Sequence, residues 1–217
     1  MRMRNKPWAL AYLSERPDCI RDPQNYKGKW KELLGSSVLH IEIGSGKGDW
    51  WLKMSEMVPD EGWLAIEKDK NVSATALKKD LQLQANRRWI LGDAAELEEW
   101  FAKGEVDVIH LNFTDPWPKK HHAKRRLAHF RFLQRYDKIL GEDGTLILKT
   151  DNQAYFEFSL CELSQAGWRF CEVDLDYRQE PHQEEAISEY EAKFVSLGKP
   201  IYRVKCHRSG GLHEAHD

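Results

Sequence analysis

A carboxylate, an indole ring and a run of cations lie together in the segment "NFTDPWPKKHHAKRR", residues 112–126. Asp115 supplies the carboxylate and Trp117 supplies the ring. The two prolines lack backbone donors and restrict the residues before them, so the segment is predicted to be a stiff, irregular loop. Such a loop can hold a flat group and an anionic group close together. Trp117 is interpreted as a stacking surface for a base, with loop packing as the alternative.

The cations of this segment form a basic run without an acidic residue. Its members after the second proline are Lys119, Lys120, His121, His122, Ala123, Lys124, Arg125 and Arg126. The formal net charge of the whole chain is only −2, which argues against a protein that binds nucleic acid through its overall charge. A local phosphate-binding surface is therefore one interpretation, and a solvated helix start is the other.

A glycine-rich turn, "EIGSGKGDW", follows the first apolar run. A phosphate-binding P-loop is excluded, because Ile41 and Gly48 occupy positions that need Gly and Ser or Thr. A dinucleotide fingerprint is excluded as well, because Asp49 occupies the position of its third glycine. An acid at that helix start would also be unfavourable beside a pyrophosphate. Gly44 and Gly46 are nevertheless predicted to let a ligand approach the backbone closely.

Four acidic residues are predicted to lie at the ends of four consecutive strands: Glu42, Glu67, Asp93 and Asp115. Carboxylates suit S-adenosylmethionine, whose sulfonium and amino groups are cationic. Glu67 is placed to accept the two hydroxyl protons of a ribose, and Asp93 to accept the exocyclic amine of adenine. Asp93 read as a helix cap is the alternative for that position.

Alternating strands and helices must position these residues. Short apolar runs predict strands over 38–44, 62–69, 87–94, 106–113, 144–151, 169–176 and 200–206. Helices are predicted over 49–57, 72–84, 94–102, 126–140 and 153–166. This order predicts an α/β fold with a doubly wound, mostly parallel sheet. Ligands bind such sheets at the carboxyl ends of the strands, where the acidic residues and glycines lie.

Length and composition describe one ordinary globular domain. The chain has 217 residues, of which 41% are hydrophobic and 31% charged, and we expect neither a membrane-spanning run nor a signal peptide. We therefore expect a cytoplasmic protein without membrane association. The four cysteines form no C-x-x-C pair, so no metal site is expected, and the tail with Cys206, His207, His213 and His216 is interpreted as a frayed end.

The motifs "EIGSGKG", "IEKD", "GDA" and "NFTDPWPK", in this order, resemble those of the class I methyltransferases. The "DPWPK" and "KRR" elements are similar to those of the tRNA (guanine-N7)-methyltransferase family. The likeness continues through "YKGKW", "LILKTDN", "SEYEAKF" and "GKPIYR", so it spans nearly the whole chain. It implies a Rossmann-like sheet with an antiparallel C-terminal strand, S-adenosylmethionine as cofactor, tRNA as partner and guanosine 46 of the variable loop as the methylated position.

The resemblance also implies roles for individual residues. Glu42, Gly44, Gly46, Glu67, Asp93 and Asp115 are then expected to bind the methyl donor, with Asp115 also catalytic. The substrate-contacting positions are then Lys119, Asp151, Ser188, Glu189, Tyr190 and Glu191. The run from His121 to Arg126 is then expected to contact RNA. Residues 1–217 are read as a single methyltransferase domain, with 1–34 as a basic N-terminal arm or helical extension and 208–217 as a disordered tail.

Three other functions remain as alternatives. An RNA-binding module without catalysis is distinguished by titrating donor affinity, and a nicotinamide-dependent oxidoreductase by the missing third glycine. An N6-adenine methyltransferase is expected to carry a second proline where Trp117 stands. The sequence leaves monomer and homodimer both open.

Overall fold

A computed structural model describes residues 5–80 and 82–208. Its centre is one sheet with the strands β1 Cys19–Ile20, β2 Leu39–Ile43, β3 Gly62–Glu67, β4 Arg87–Leu91, β5 Val106–Asn112, β6 Leu140–Thr150, β7 Arg169–Asp174 and β8 Tyr202–His207. The spatial order is β1-β4-β3-β2-β5-β6-β8-β7. Pairs among β1 to β6 are parallel, and β8 is antiparallel to both neighbours. The predicted doubly wound, mostly parallel sheet with an antiparallel C-terminal strand is confirmed.

The winding of the sheet reverses between β2 and β5. From β2 the chain moves outward through β3 to β4, and it then returns to place β5 on the other side of β2. A crevice opens at such a switch point, outside the carboxyl ends of the strands. The glycine turn follows β2 and the "TDPWP" loop follows β5, so both border this crevice.

Eight α-helices lie among the described residues: α1 Ala9–Ser14, α2 Trp30–Leu34, α3 Asp49–Met57, α4 Lys70–Leu77, α5 Leu97–Trp100, α6 Phe130–Ile139, α7 Gln153–Gln165 and α8 Glu189–Ser196. Helix α3 has its predicted bounds. Helix α4 starts two residues early because the Asp69 carboxylate accepts from the N–H groups of Asn71 and Val72. Helix α6 starts at Phe130, four residues later than predicted, because the His129 side chain accepts from Arg131 N and caps the helix there. Helix α8 was not predicted from the apolar pattern.

The two faces of the sheet differ in character. Ile41, Ile43 and their neighbours on one face join a core built from aliphatic and aromatic side chains. The opposite face, which we call the polar face, carries His40, Glu42, His110, Asn112 and Lys149, all buried. Alternate residues of a strand point to opposite faces, which explains why β2 and β5 contribute to both. Helix α3 and four tryptophans, Trp50, Trp51, Trp63 and Trp89, pack on the polar face.

The chain ends adjoin this sheet. β1 pairs with the edge strand β4, and α1 packs against α4, so part of the segment read as an N-terminal arm lies against the sheet. Arg208 donates its backbone N–H to Gly144 O (3.1 Å), whereas the rest of the predicted tail, with His213 and His216, lies outside the described residues. The division into arm, domain and tail stays a prediction. None of the helices within 5–80 and 82–208 has the length and hydropathy needed to cross a bilayer.

Candidate functional site

A cleft of about 480 Å³ lies at the switch point, along the carboxyl ends of β2, β3, β4 and β5. Five of the six residues predicted to bind the donor line it: Gly44, Gly46, Glu67, Asp93 and Asp115. The sixth, Glu42, lies buried at the end of β2. The structure thus brings the predicted residues together, and their contacts with a ligand stay a prediction.

Left-handed torsions shape the glycine turn. Gly44 and Gly46 have φ values of 76° and 55°, which side chains with a Cβ rarely adopt. Gly48 has φ 72°, and a Cβ there would lie 2.9 Å from the Trp89 ring. Gly44 and Gly46 are therefore needed for the backbone conformation of the turn, and Gly48 is also needed because the Trp89 ring packs closely against it.

Glu67 ties the end of β3 to this turn. One carboxylate oxygen accepts from Gly46 N (3.2 Å), and the other accepts from Asp69 N (2.9 Å). Burial raises the pKa of Glu67, against the effect of these bonds. Since a carboxylate has about four acceptor positions, acceptor capacity remains for a ribose hydroxyl.

Glu42 is the buried carboxylate beneath the cleft. Its Oε1 accepts from Asn112 Nδ2 (2.9 Å), but its Oε2 and Asn112 Oδ1 have no hydrogen-bond partner among the described residues. Burial raises the pKa of Glu42 to about 7. Two unsatisfied buried acceptors fit a ligand that brings a cationic N–H donor, as S-adenosylmethionine does. The residues present therefore fit this cofactor.

Asp93 is both a cap and a cleft residue. Its carboxylate accepts from Ala95 N (3.0 Å) and caps the 3-10 helix Ala94–Glu96. Lys68 Nζ lies 3.6 Å from its other oxygen. The helix-cap interpretation is confirmed, and free acceptor capacity remains on the side chain, which is about half exposed.

The loop after β5 is strained. Phe113 (φ 51°) and Trp117 (φ 40°) are the only non-glycine residues with positive φ in the described part of the chain. Such conformations cost about 1–3 kcal/mol each and persist only when their surroundings hold them. Phe113 N donates to Lys149 O (2.8 Å), and Thr114 Oγ1 lies 2.9 Å from Tyr155 Oη.

Arg126 holds the same loop from the other end. Its guanidinium donates to Pro116 O (2.9 Å) and to Trp117 O (3.1 Å). This residue was predicted to contact RNA, and the structure gives it protein partners instead of a free position. Asp115 is exposed and has no hydrogen bond to any residue within 5–80 and 82–208, so its carboxylate is available to a ligand.

The basic run forms the 3-10 helix Lys120–Arg125, in which no residue is buried. The Arg125 guanidinium lies 4.9 Å from the centre of the Trp117 ring, and the His122 ring lies 5.5 Å from it. Trp117 thus packs within its loop and also lines the cleft. The cationic surface consequently begins at the rim of the cleft.

An aromatic group adjoins the cleft on the β6 side. The Tyr190 ring lies 5.3 Å from Phe113 and 4.7 Å from Phe194, centre to centre. Burial, together with the carboxylates of Asp151 and Asp115, raises the pKa of Tyr190. Two of the predicted substrate residues, Asp151 and Tyr190, therefore lie close to the predicted catalytic residue Asp115.

The other predicted substrate residues have different surroundings. Ser188 Oγ accepts from Glu191 N (3.1 Å) and caps α8, and Glu189 lies 3.4 Å from Lys47 Nζ of the glycine turn. Lys119 is exposed at the start of the basic run. Glu191 is fully buried and does not line the cleft.

Sequence reasoning missed the partners of Glu191. Its carboxylate lies 2.6 Å from Arg178 Nε and 3.3 Å from Lys149 Nζ, and Lys149 Nζ lies 2.5 Å from Glu185 Oε1. We call these four residues the buried charge cluster. The signal available in the sequence was a lysine at the end of the otherwise apolar run "LILK", because a lysine flanked by strand residues is rarely buried without a partner.

Comparisons with known proteins agree with this geometry. Residues 36–204 match a family model described as "Putative methyltransferase". The chain is 45% identical over 211 residues to a tRNA (guanine-N(7)-)-methyltransferase of Geobacillus kaustophilus, covering 96% of this chain and 97% of the relative. It is 42% identical over 208 residues to the protein of that name from Bacillus subtilis, covering 94% and 98%.

Solved structures share the fold at low sequence identity. An "antibiotic related Methyltransferase" superposes with a TM-score of 0.61 at 21% identity, covering 83% of this chain and 94% of that chain. A "SAM dependent methyltransferase from Aquifex aeolicus" superposes with a TM-score of 0.56 at 16% identity, covering 94% of both chains.

Proposed function

Since the chain belongs to the tRNA (guanine-N7-)-methyltransferase family, we propose that it methylates N7 of guanosine 46 in the variable loop of tRNA. The product is 7-methylguanosine. S-adenosylmethionine is the cofactor and supplies an electrophilic methyl group when bound. A cytoplasmic location follows from this substrate.

One observation carries the proposal from the structural side: acidic groups lie at the switch point where a cationic donor is expected, and a cationic run starts at the same rim. Glu42 and Asn112 are proposed to bind the donor's amino group, Glu67 its ribose and Asp93 its adenine. The glycine turn borders the same cleft, and Gly44 and Gly46 line it without a side chain.

The reaction needs alignment more than proton transfer. Guanine N7 has an in-plane lone pair, so the chain does not have to remove a proton before the attack. Holding the reactants in line is worth about 7–11 kcal/mol in favourable cases. The strained loop 113–117 is held at both ends and is therefore suited to fixing this geometry.

Asp115 is the proposed catalytic residue. The guanine ring gains positive charge as the methyl group arrives, and an exposed carboxylate at the cleft rim stabilises that charge. Asp151, next to Tyr190, is proposed to accept hydrogen bonds from the Watson–Crick donors of the guanine. Lys119 and the run 121–125 are proposed to bind phosphates, while Arg126 supports the loop.

The test is to map methylated nucleosides by mass spectrometry after incubating the protein with tRNA and isotopically labelled S-adenosylmethionine. We expect labelled 7-methylguanosine, and its position is then read from nuclease fragments. Label in N6-methyladenosine, or no label despite measurable donor binding, contradicts the proposal.

The matched variant is Asp115→Ala. We expect turnover to fall by about 100-fold, with a much smaller loss of donor affinity, because Asp115 acts on charge that develops in the transition state. Thr114→Ser, at the preceding position, is the control. Unchanged turnover in Asp115→Ala, with donor binding intact, removes Asp115 from this role.

A further inference from the structure

The buried charge cluster lies between the sheet and the segment that connects β7 to β8. Lys149 comes from the end of β6 and is fully buried, while Arg178, Glu185 and Glu191 all come from the connecting segment. Two cations face two carboxylates, so the cluster is neutral. A buried ion group of this kind is geometrically demanding, because each charge needs its partner in place.

Lys149 is the sheet's charged contribution to this cluster. Its ammonium group reaches both Glu185 (2.5 Å) and Glu191 (3.3 Å). These two residues are the ends of a segment that includes the first residues of α8 and that we call the turn 185–191. Between them, Lys53 Nζ donates to Ile187 O (3.0 Å). The turn 185–191 is therefore anchored from below by one lysine and from the side by another.

The anchored turn places Tyr190 against Phe113, which lines the cleft. Glu191 is fully buried while Tyr190, the preceding residue, is half exposed and packs on Phe113. Phe113 lines the cleft two residues before Asp115, and its backbone N–H donates to the carbonyl of Lys149 itself. Lys149 thus contacts Phe113 through its main chain and the Tyr190 segment through its side chain.

We propose that Lys149 is a positioning residue: through Glu185 and Glu191 it fixes the turn 185–191, so that the Tyr190 ring forms a wall of the guanine pocket beside Asp115. This inference rests on the proposed function for the identity of the base. It also assigns Glu191 a supporting role, because Arg178 and Lys149 occupy its two oxygens. The substrate contact expected at Glu191 is then made by Tyr190.

The position of Lys149 excludes direct contact with tRNA, since its side chain has no exposed surface. On the sheet it is paired in register with Asn112, which binds Glu42. Donor-side and guanine-side residues therefore adjoin on the polar face. A change at Lys149 could lower turnover either by weakening donor binding or by displacing Tyr190, so the experiments must measure the two effects separately.

The first experiment is a mutant cycle. Lys149→Met leaves both glutamates without their common cation and is expected to fold poorly. The working variant is therefore the double variant Lys149→Met/Glu185→Gln. It removes one cation and one carboxylate together and keeps the neutral Arg178–Glu191 pair. We expect its kcat/KM for tRNA to fall by about 10- to 100-fold, as a small misplacement of a reacting base does. Donor affinity, measured by calorimetry, should change far less.

Tyr190→Ala completes the cycle. If Lys149 acts through Tyr190, adding Tyr190→Ala to the working variant lowers kcat/KM little further. Fully additive losses overturn the inference, and so does a loss of donor affinity as large as the loss of kcat/KM. Lys205→Met is the matched control, because Lys205 pairs with Glu172 near the surface of the same sheet and touches neither region.

The second experiment does not require activity. Hydrogen exchange of the protein alone should show faster exchange at the amides of Glu191 and Ala192 in the Lys149 variants, since both amides bond to Ser188. Lys205→Met should leave them unchanged. Equal exchange rates in all variants reject the positioning role of Lys149, even when tRNA methylation is observed. Faster exchange in the Lys149 variants, combined with no tRNA methylation by the wild-type protein, rejects only the proposed function.

Discussion

Two carboxylates are buried near the cleft, and the protein supplies full partners to only one of them. Glu191 has a cation on each oxygen, Arg178 on one and Lys149 on the other. Glu42 has one amide donor and one oxygen without a partner among the described residues. Burial is nearly the same, so the difference lies in what surrounds each group.

This difference distinguishes a structural role of a buried carboxylate from a ligand-binding role. A buried carboxylate with cations on both oxygens is a structural element, and removing it leaves those cations uncompensated. A buried carboxylate with a missing partner is costly in the free protein and becomes favourable only when a ligand brings the partner. From this comparison we propose a structural role for Glu191 and a donor-binding role for Glu42.

Removing Glu191 should give the largest effect. Glu191→Gln is expected to lower the free energy of unfolding by about 3–5 kcal/mol, because Lys149 and Arg178 lose their shared counter-charge. Urea denaturation measures this change. Glu189→Gln, two residues earlier on the same helix, is the control, and its exposed pair with Lys47 should contribute below about 1 kcal/mol. Equal effects at both positions erase the proposed distinction.

Neutralising Glu42 should act in the opposite direction on stability. Its pKa of about 7 in the folded protein exceeds the ordinary value, so its protonated form favours folding, and this contribution is lost as the pH rises from about 4.5 to 7. Glu42→Gln imitates the protonated form and should raise the free energy of unfolding at pH 8 by about 1–3 kcal/mol. Donor affinity should fall. A less stable variant at pH 8 shows that Glu42 is already satisfied.

The pH dependence of donor binding sharpens the same point. If the donor binds the ionised form of Glu42, wild-type affinity should rise by roughly tenfold between pH 5.5 and 7, because the ionised fraction grows over that interval. Calorimetric titration at several pH values measures it. The Glu42→Gln variant should lack this rise, and a rise of equal size in the variant assigns the dependence to another group.

The smallest effect per residue is expected for the cationic run at the rim of the cleft. Its contribution to tRNA binding should depend on salt concentration, unlike the contributions of Glu42 and Glu191. Lys124→Ala and Arg125→Ala are each expected to weaken tRNA binding a few-fold and to lower the slope of log affinity against log salt by about 1. Donor binding should hardly respond to salt, since we propose that it depends on buried carboxylates. Arg126→Ala is the informative neighbour, because its bonds to Pro116 and Trp117 predict a lower kcat with an unchanged salt slope.

Much of the site was predictable because it depends on local signals. Gly44 and Gly46 indicate a turn with left-handed torsions. The strand pattern places Glu67, Asp93 and Asp115 at one edge of a parallel sheet. The prolines around Trp117 predict an irregular loop, which the structure has. These features require only the order of elements and the handedness of their connections.

The sequence by itself thus determined the mostly parallel sheet, the edge of that sheet at which the acidic residues lie, and the kind of ligand that this edge suits. Only the tertiary structure decided which acidic residues keep free oxygens, because that depends on partners far away along the chain. Glu191 meets Lys149 and Glu42 meets Asn112 across separations of 42 and 70 residues. These contacts have large energetic effects because the groups are buried. The free energy of a charge removed from water depends on the few groups in contact with it.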